Sequence, residues 1–454
     1  MHRRDFIKNS LVGLPMVLLA PTLLASSRKT SDAPKSSKSV LVIGAGISGL
    51  AAAHKLQAHG YTVTVLEAQD KVGGRTRTNR SLGVAFDEGA SWIHGVKRNP
   101  IADLAAKAGM QTYHTQDEDR LSYDIGGVVR SAQAYDLAEE QLDEILSTMM
   151  NHGSANQSFA NLFNRLHPEK ADDRLWKFLL STYITFDTGD LDQLSSTLYD
   201  EGETFGGAEK IAINGYDTIA NYLATGLKVQ LNQRVRRINY SDEHANERVQ
   251  VTHSGGVSEA DYVVVTVPLG VLKNNTIAFV PELPVAKRDA IEKIGMNCVN
   301  KFLLTWDTAF WDDVQYISYT PEQADRFNYF VNVKKFHPSV NALMTFAYAD
   351  QARQSESMSD QEVIDAIMSH LKDIYGADIP APTHLLRTRW QSNENSFGAY
   401  SYTAVDTEMQ HFDDLAQDVN GRVFFAGEHT EADCFSTVHG AYLSGIREAD
   451  KIIG

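Results

Sequence analysis

Residues 39–49 read S-V-L-V-I-G-A-G-I-S-G, an apolar strand that runs straight into a turn carrying Gly44, Gly46 and Gly49. The next residues, A-A-A-H-K-L-Q-A-H-G, read as a helix ending at Gly60, and Y-T-V-T-V-L-E-A (61–68) reads as a second strand. Strand, glycine turn, helix and strand make one βαβ unit. Glycines at this spacing let the backbone approach a pyrophosphate, and the helix N-terminus that follows favours negative charge. Glu67 ends the second strand, about where a carboxylate meets a ribose hydroxyl in dinucleotide sites. Gly44, Gly46, Ser48, Gly49 and Glu67 are therefore the candidate contacts to a dinucleotide.

Upstream of this unit, M-H-R-R-D-F-I-K (1–8) precedes an apolar run, L-V-G-L-P-M-V-L-L-A-P-T-L-L-A, that ends at Ala25. A basic start, a short apolar run and small residues after it make residues 1–25 a signal peptide. The run is broken by Pro15 and Pro21 and falls short of the roughly 20 residues a spanning helix needs. Arg3-Arg4, followed by Phe6, Ile7 and Lys8, resembles a twin-arginine export signal. That resemblance implies the twin-arginine export machinery as a partner and a periplasmic or secreted location, with anchoring by an uncleaved signal as the alternative. Residues 26–38 read as a polar linker.

With 454 residues the chain is long enough for two or three domains. A hydrophobic content of 43% and a charged content of 22% are ordinary for a soluble globular protein. The formal net charge of −16 argues against nucleic acid as a partner and leans towards cationic ones. The two cysteines, Cys298 and Cys434, form no C-x-x-C pair and have no metal-ligand spacing, so neither a redox-active disulfide nor a metal site is expected. Whether they pair with each other stays open.

Downstream, residues 133–185 are helix-like. Strand patterns return in V-Q-L-N-Q-R-V-R-R-I and D-Y-V-V-V-T-V-P, the latter broken by Pro268. A sheet-rich stretch and a helix over Q-E-V-I-D-A-I-M-S-H-L follow. The chain closes on the strand R-V-F-F-A-G-E and a helix through V-H-G-A-Y-L-S-G. The expected fold is an α/β, Rossmann-like nucleotide-binding domain assembled from residues 39–115, 205–290 and 386–454. An α+β substrate-binding domain, with a helical part at 116–204 and a second part at 291–385, is interleaved with it. One strand in that second part, V-N-K-F-L-L-T-W (299–306), is apolar except for a lysine. By composition alone, Lys301 belongs on a solvated strand face, because lysines are almost never fully buried unless paired.

Further blocks change that reading. Q-D-K-V-G-G-R-T-R-T (69–78) places Gly74 and Arg75 as a second phosphate contact and resembles the extended fingerprint of FAD-binding oxidases. F-D-E-G-A-S-W-I-H-G (86–95), R-W-Q-S-N-E-N-S-F-G-A-Y-S-Y (389–402), F-F-A-G-E-H-T (424–430) and F-S-T-V-H-G-A-Y-L-S-G (435–445) follow in order. Together they resemble the flavin-dependent amine oxidases of the polyamine oxidase type, over residues 39–454. The resemblance implies the amine oxidase fold and FAD, held non-covalently since no cysteine stands at an attachment position. It places Gly89, Ala90, Ser91 and Trp92 beside the flavin, Val235 at the adenine, Trp390 and Tyr400 near the isoalloxazine, Glu428 at the ribityl chain with Gly427 beside it as a further cofactor contact, and Thr437 and Val438 at the start of the last helix. It also puts His94 at the tunnel entrance and makes Lys301 the buried partner, through a water, of flavin N5. Where plant polyamine oxidases have a second aromatic facing Tyr400, this chain has Thr437, as spermine oxidases and lysine-specific histone demethylases do.

The chemistry so implied removes a hydride from the carbon beside an amine nitrogen, passes it to flavin N5, and lets the imine hydrolyse to an aldehyde plus an amine. Lys301, Tyr400, His94 and Thr437 are the residues that would serve it. A cationic polyamine is the expected substrate, with oxygen or a respiratory carrier as electron acceptor and peroxide the product with oxygen. A monoamine, an amino acid or an alkaloid amine is the alternative substrate, and a non-catalytic flavoprotein scaffold the reading from another class.

Overall fold

The protein is seen as a computed structural model that describes residues 38–199, 202, 205–241 and 248–454. The expected export signal (1–25) and all of the expected linker except Lys38 lie outside the described residues. Among the described residues no helix is long and apolar enough to cross a membrane.

The strand Ser39–Ile43 is the middle of a five-stranded sheet. Its neighbours are Thr62–Leu66 on one side and Tyr262–Val265 on the other; Val229–Gln230 and Val423–Phe425 complete the edges, all parallel. A parallel sheet is covered on both faces, which is why S-V-L-V-I and Y-V-V-V are continuous apolar runs. On one face the helix Ile47–Ala58 packs against the last helix, Val438–Ile453, and against Asp217–Ala224. The contact is close enough that a Cβ on Gly445 would sit 2.1 Å from the Ser48 carbonyl oxygen. On the other face lies a four-stranded sheet containing Val235–Asn239 and Val249–His253.

A second, seven-stranded sheet runs in the order His384–Arg387, Val299–Thr305, Ala342–Tyr348, Arg326–Asn332, Tyr316–Tyr319, Arg120–Asp124, Val128–Val129. Its pairings are antiparallel apart from the parallel match of Tyr316–Tyr319 with Arg120–Asp124. It too is buried on both faces. Phe302 and Leu304 meet the helix Asp360–Tyr375, whereas Val299 and Leu303 face a cluster built with the helices over 132–180. By the alternation of a strand, Lys301 shares the face of Val299 and Leu303. It is 6% exposed. The lysine that composition alone puts in solvent is thus inside, because both faces of its strand are covered.

Between the two sheets runs a short antiparallel set of three strands, with Lys210–Ala212 in the middle, Trp92–Ile93 on one side and Thr112–His114 on the other. Cys298 and Cys434 are both buried free thiols, which closes the question of their pairing.

Candidate active site

A continuous cavity extends from the glycine turn at Gly44 and Gly46, past Lys301, to Asp117 and Asp187. Its first end is made of backbone. The helix Ile47–Ala58 opens at Gly46 with no side-chain cap, so its first amides have no intrahelical partner. A Cβ on Gly46 would meet nothing within 4 Å, and it would stand in the cavity itself. On Gly49 it would lie 2.1 Å from the Gly44 carbonyl oxygen. One glycine thus leaves room for a ligand, and the other lets strand and helix touch.

Glu67 lies at the adjoining wall. Its Oε2 accepts from the Ala45 amide at 2.7 Å and its Oε1 from the Gln69 amide at 2.9 Å. Burial pushes its carboxyl up, and those amides pull against the shift. Each oxygen keeps a second lone pair for a ligand hydroxyl. Open amides at a helix N-terminus, the bare Gly46 and an anchored carboxylate fit the pyrophosphate and ribose of FAD.

The remaining nucleotide candidates divide. Val235, Gly74, Trp390, Gly427 and Val438 line the cavity. Ser48 lines it too, but its hydroxyl is turned to Ser444 Oγ at 3.2 Å, in the helix–helix contact. Arg75 and Glu428 meet each other at 2.8 Å, Nη1 to Oε1. Glu428 also accepts from the Ser401 hydroxyl at 2.6 Å and the Ser436 amide at 2.9 Å. Burial works to raise its pKa, yet Arg75, His429 and Ser401 outweigh it and hold the carboxyl well below the usual range. Glu428 is therefore the knot that ties three cofactor-side segments together as well as part of the wall. Trp390 stands outside any strand; its indole N–H donates to the Glu88 carbonyl at 3.0 Å, and Arg77 lies over its ring. Thr437 caps the last helix, accepting from the Gly440 amide at 2.9 Å while its hydroxyl donates to Cys434 O.

Lys301 lines the same cavity. Its Nζ donates to Asp87 O at 3.1 Å, to Gly89 O and to Ser91 Oγ. Three acceptors match the three hydrogens of an ammonium. The strand therefore clamps the segment 87–91, and Trp92, whose ring centroid is 5.8 Å from Nζ, extends it outward. Asp87 lies inside the same cluster, its Oδ1 accepting from Thr78 Oγ1 and from the Tyr216 amide at 2.9 Å. Burial lowers the lysine and raises the aspartate, and the attraction between their charges opposes both shifts. In the sequence Asp87 stands within F-D-E-G-A-S-W with no signal of its own.

Beyond Lys301 the walls are side chains. Trp92, Phe186, Tyr316 and Tyr400 supply rings, and Asp117, Asp187 and Glu209 supply carboxylates. The Tyr400 hydroxyl donates to the Phe186 carbonyl. Phe186 follows a π-helical turn at Ser181–Thr185, a local irregularity that recurs at functional sites, and its ring packs on Tyr348 at 4.9 Å. His94 reaches the same wall, with Nδ1 2.7 Å from Glu209 Oε2. Neither Phe186 nor Glu209 stood out in the sequence. Among the described residues no group of histidine, cysteine, aspartate or glutamate side chains could hold a metal ion.

Residues 47–453 match the family described as "Flavin containing amine oxidoreductase". The chain is 35% identical over 456 residues to polyamine oxidase 4 of Oryza sativa subsp. japonica, across 96% of this chain and 91% of that protein. It is 33% identical to the probable polyamine oxidase 4 of Arabidopsis thaliana, across 90% and 85%. Lysine-specific histone demethylase 1 homolog 2 of Arabidopsis thaliana is 31% identical, across 91% of this chain and 58% of that protein.

Proposed function

Since this chain belongs to the flavin-containing amine oxidoreductases and is an FAD-dependent amine oxidase, we propose that its substrate is a polyamine such as spermine or spermidine. The observation that carries this reading is the cavity wall, to which Asp117, Asp187 and Glu209 contribute together with Trp92, Phe186, Tyr316 and Tyr400. Carboxylates attract the several positive charges of a polyamine. Aromatic faces hold its methylenes and favour cations. Burial away from water disfavours an ammonium, so the reacting nitrogen loses its proton inside the cavity. The relatives named polyamine oxidases lend the same reading support.

When bound, FAD supplies the hydride acceptor. The chain's own residues bind and orient. The backbone at Gly44–Gly49, with Glu67, carries the dinucleotide in a Rossmann-like arrangement. Arg75 and Glu428 hold its middle. Lys301 holds 87–91 in place through its three Nζ hydrogen bonds, and on releasing one of those acceptors it would hold a water for imine hydrolysis or oxygen chemistry. Tyr400 and Trp92 flank the reacting carbon, His94 meets a substrate nitrogen, and Thr437 lines the far side. The imine then hydrolyses to an aldehyde and an amine, and oxygen, as acceptor, leaves as hydrogen peroxide. FAD is held non-covalently; neither Cys298 nor Cys434 lines the cavity. A twin-arginine signal exports the folded, loaded protein to the periplasm or beyond.

Anaerobic mixing with spermine, spermidine, putrescine and benzylamine tests the substrate class. The polyamines should bleach the flavin at micromolar to millimolar concentrations, and readmitted air should yield peroxide. Bleaching by benzylamine alone would replace a polyamine with a monoamine.

A further inference from the structure

His94 and Glu209 are 115 residues apart and meet through strand register. Trp92 pairs with Ile211 and Ile93 with Lys210, so continuing the register sets His94 opposite Glu209. On the other side His114 pairs with Lys210, and the Thr115 amide donates to the Glu209 carbonyl at 3.0 Å. The Glu209 backbone is therefore held between two strands while its carboxylate turns to the 92–95 segment. Oε1 accepts from the Gly95 amide at 2.8 Å, and Oε2 meets His94 Nδ1 at 2.7 Å. Gly95 is in the left-handed region (φ 64°), and a Cβ there would lie 1.8 Å from Phe205 O; only glycine makes the turn that aims this amide. His94 is fixed from its own backbone as well, its carbonyl accepting from Asn99 Nδ2 at 3.1 Å.

A carboxylate only accepts, so the proton of a neutral His94 ring sits on Nδ1. The lone pair is then on Nε2, for which no hydrogen-bond partner stands among the described residues, on a side chain that is 36% exposed and lines the cavity. Imidazole alone would present a donor or an acceptor; the carboxylate removes the choice. We propose that Glu209 is a positioning residue that holds His94 with Nε2 as an acceptor for a cationic substrate nitrogen, so that this part of the cavity selects an ammonium over a neutral hydroxyl. With a neutral ring and an ionised carboxylate the pair is complementary to an N–H of a cation. If a proton passes from substrate nitrogen to Nε2, the pair becomes a neutral imidazolium–carboxylate and the nitrogen gains its lone pair. This inference rests on the amine oxidase reading and adds the residue that sets the sense of the hydrogen bond.

Glu209→Gln tests it. The amide keeps the shape and an oxygen for the Gly95 amide, but its NH2 faces Nδ1 and turns Nε2 into a donor. FAD-loaded wild type and E209Q are titrated under argon with 1,8-diaminooctane and, separately, 1,8-octanediol, following the shift or bleaching of the flavin band. E209Q should need at least tenfold more diamine for half-saturation, with diol affinity unchanged. Equal diamine affinity, or equal losses for diamine and diol, overturns the proposal. If E209Q does not load FAD, His94→Phe gives the same readout, and undiminished diamine selectivity there overturns it too. If wild type responds to benzylamine and to no diamine or polyamine, the polyamine reading falls. The dyad is then scored on benzylamine against benzyl alcohol with the same variants.

Discussion

The two ends of the cavity are built by different means. At Gly44–Gly49 the surface offered to a ligand is main chain, shaped by residues within a single strand–turn–helix. Beyond Lys301 it is side chain, contributed by 92–94, 117, 186–187, 209, 316 and 400. A backbone site tolerates almost no added atoms but depends on few side-chain identities. A side-chain site can lose one member, keep its shape, and change only its chemistry.

The sharpest way to break this contrast is Gly49→Ala. Its Cβ meets the Gly44 carbonyl oxygen at 2.1 Å, so strand and helix must part. We expect loss of several kcal/mol of stability and of bound FAD together, on the scale of overpacking with backbone shift. Gly46→Ala is the partner test: with nothing within 4 Å, the apoprotein should melt within about 1 kcal/mol of wild type while FAD binds at least tenfold more weakly. Equal behaviour of the two variants in thermal melts and FAD titration would erase the distinction between packing and cradle glycines.

Lys301→Met probes the junction. The variant should keep FAD, as judged by the visible spectrum, and slow flavin reduction or reoxidation about 100-fold or more in stopped flow. Unchanged kinetics would reduce Lys301 to a clamp on residues 87–91.

Glu428→Gln probes the knot on the nucleotide side. Breaking the buried pair with Arg75 should cost about 3 kcal/mol at neutral pH. The sign with pH follows from its depressed pKa. The unfolded carboxyl takes up a proton near its ordinary value of 4.5, whereas the native one resists, so this stabilisation is present above that pH and fades as pH falls below it. The gap between wild type and E428Q in urea melts should narrow from pH 6 towards pH 3.5; a gap constant over that range would show that Glu428 does not titrate as its contacts require. The smallest effect is expected from Thr437→Ala, about 1 kcal/mol from the lost helix cap. A large drop in turnover for this variant, with a small drop in stability, would move Thr437 from the frame to the chemistry.

The same contrast explains what could be read from the sequence. The glycine turn and Glu67 lie within 24 consecutive residues, 44 to 67, and their spacing alone gives strand, turn, helix and acid. Lys301 could not be placed from composition, which puts a lysine outside; the resemblance put it inside, and two covered sheet faces are the reason. Arg75 and Glu428 were read as ligands of the cofactor, and their mutual ion pair was hidden because 353 residues separate them. Glu209 gave no signal at all. It sits in an unremarkable G-G-A-E-K-I-A, and only the alignment of Lys210–Ala212 with Trp92–Ile93 brings it to His94. Trp390, expected near the isoalloxazine, stands in a loop held by Asn300, which accepts from the Trp390 amide at 3.0 Å.

The parallel sheet also sets a timetable. Its central strand is made at residues 39–43, but the edge at Val423–Phe425 and the helix that covers the glycine turn come some 380 residues later (423 − 43). At about 5–20 residues per second, translation leaves that gap open for roughly 20–80 s. For the last 158 residues of that interval (423 − 265), roughly 8–32 s, the β-branched strand Tyr262–Val265 has no partner on its outer side, and an unpaired apolar edge is a template for wrong pairing. The cavity that takes the dinucleotide is complete only when Gly427, Glu428 and Val438 join its wall. Cofactor supply thus acts late in the life of the nascent chain, and a shortage of flavin should appear first as insoluble protein rather than as slow enzyme.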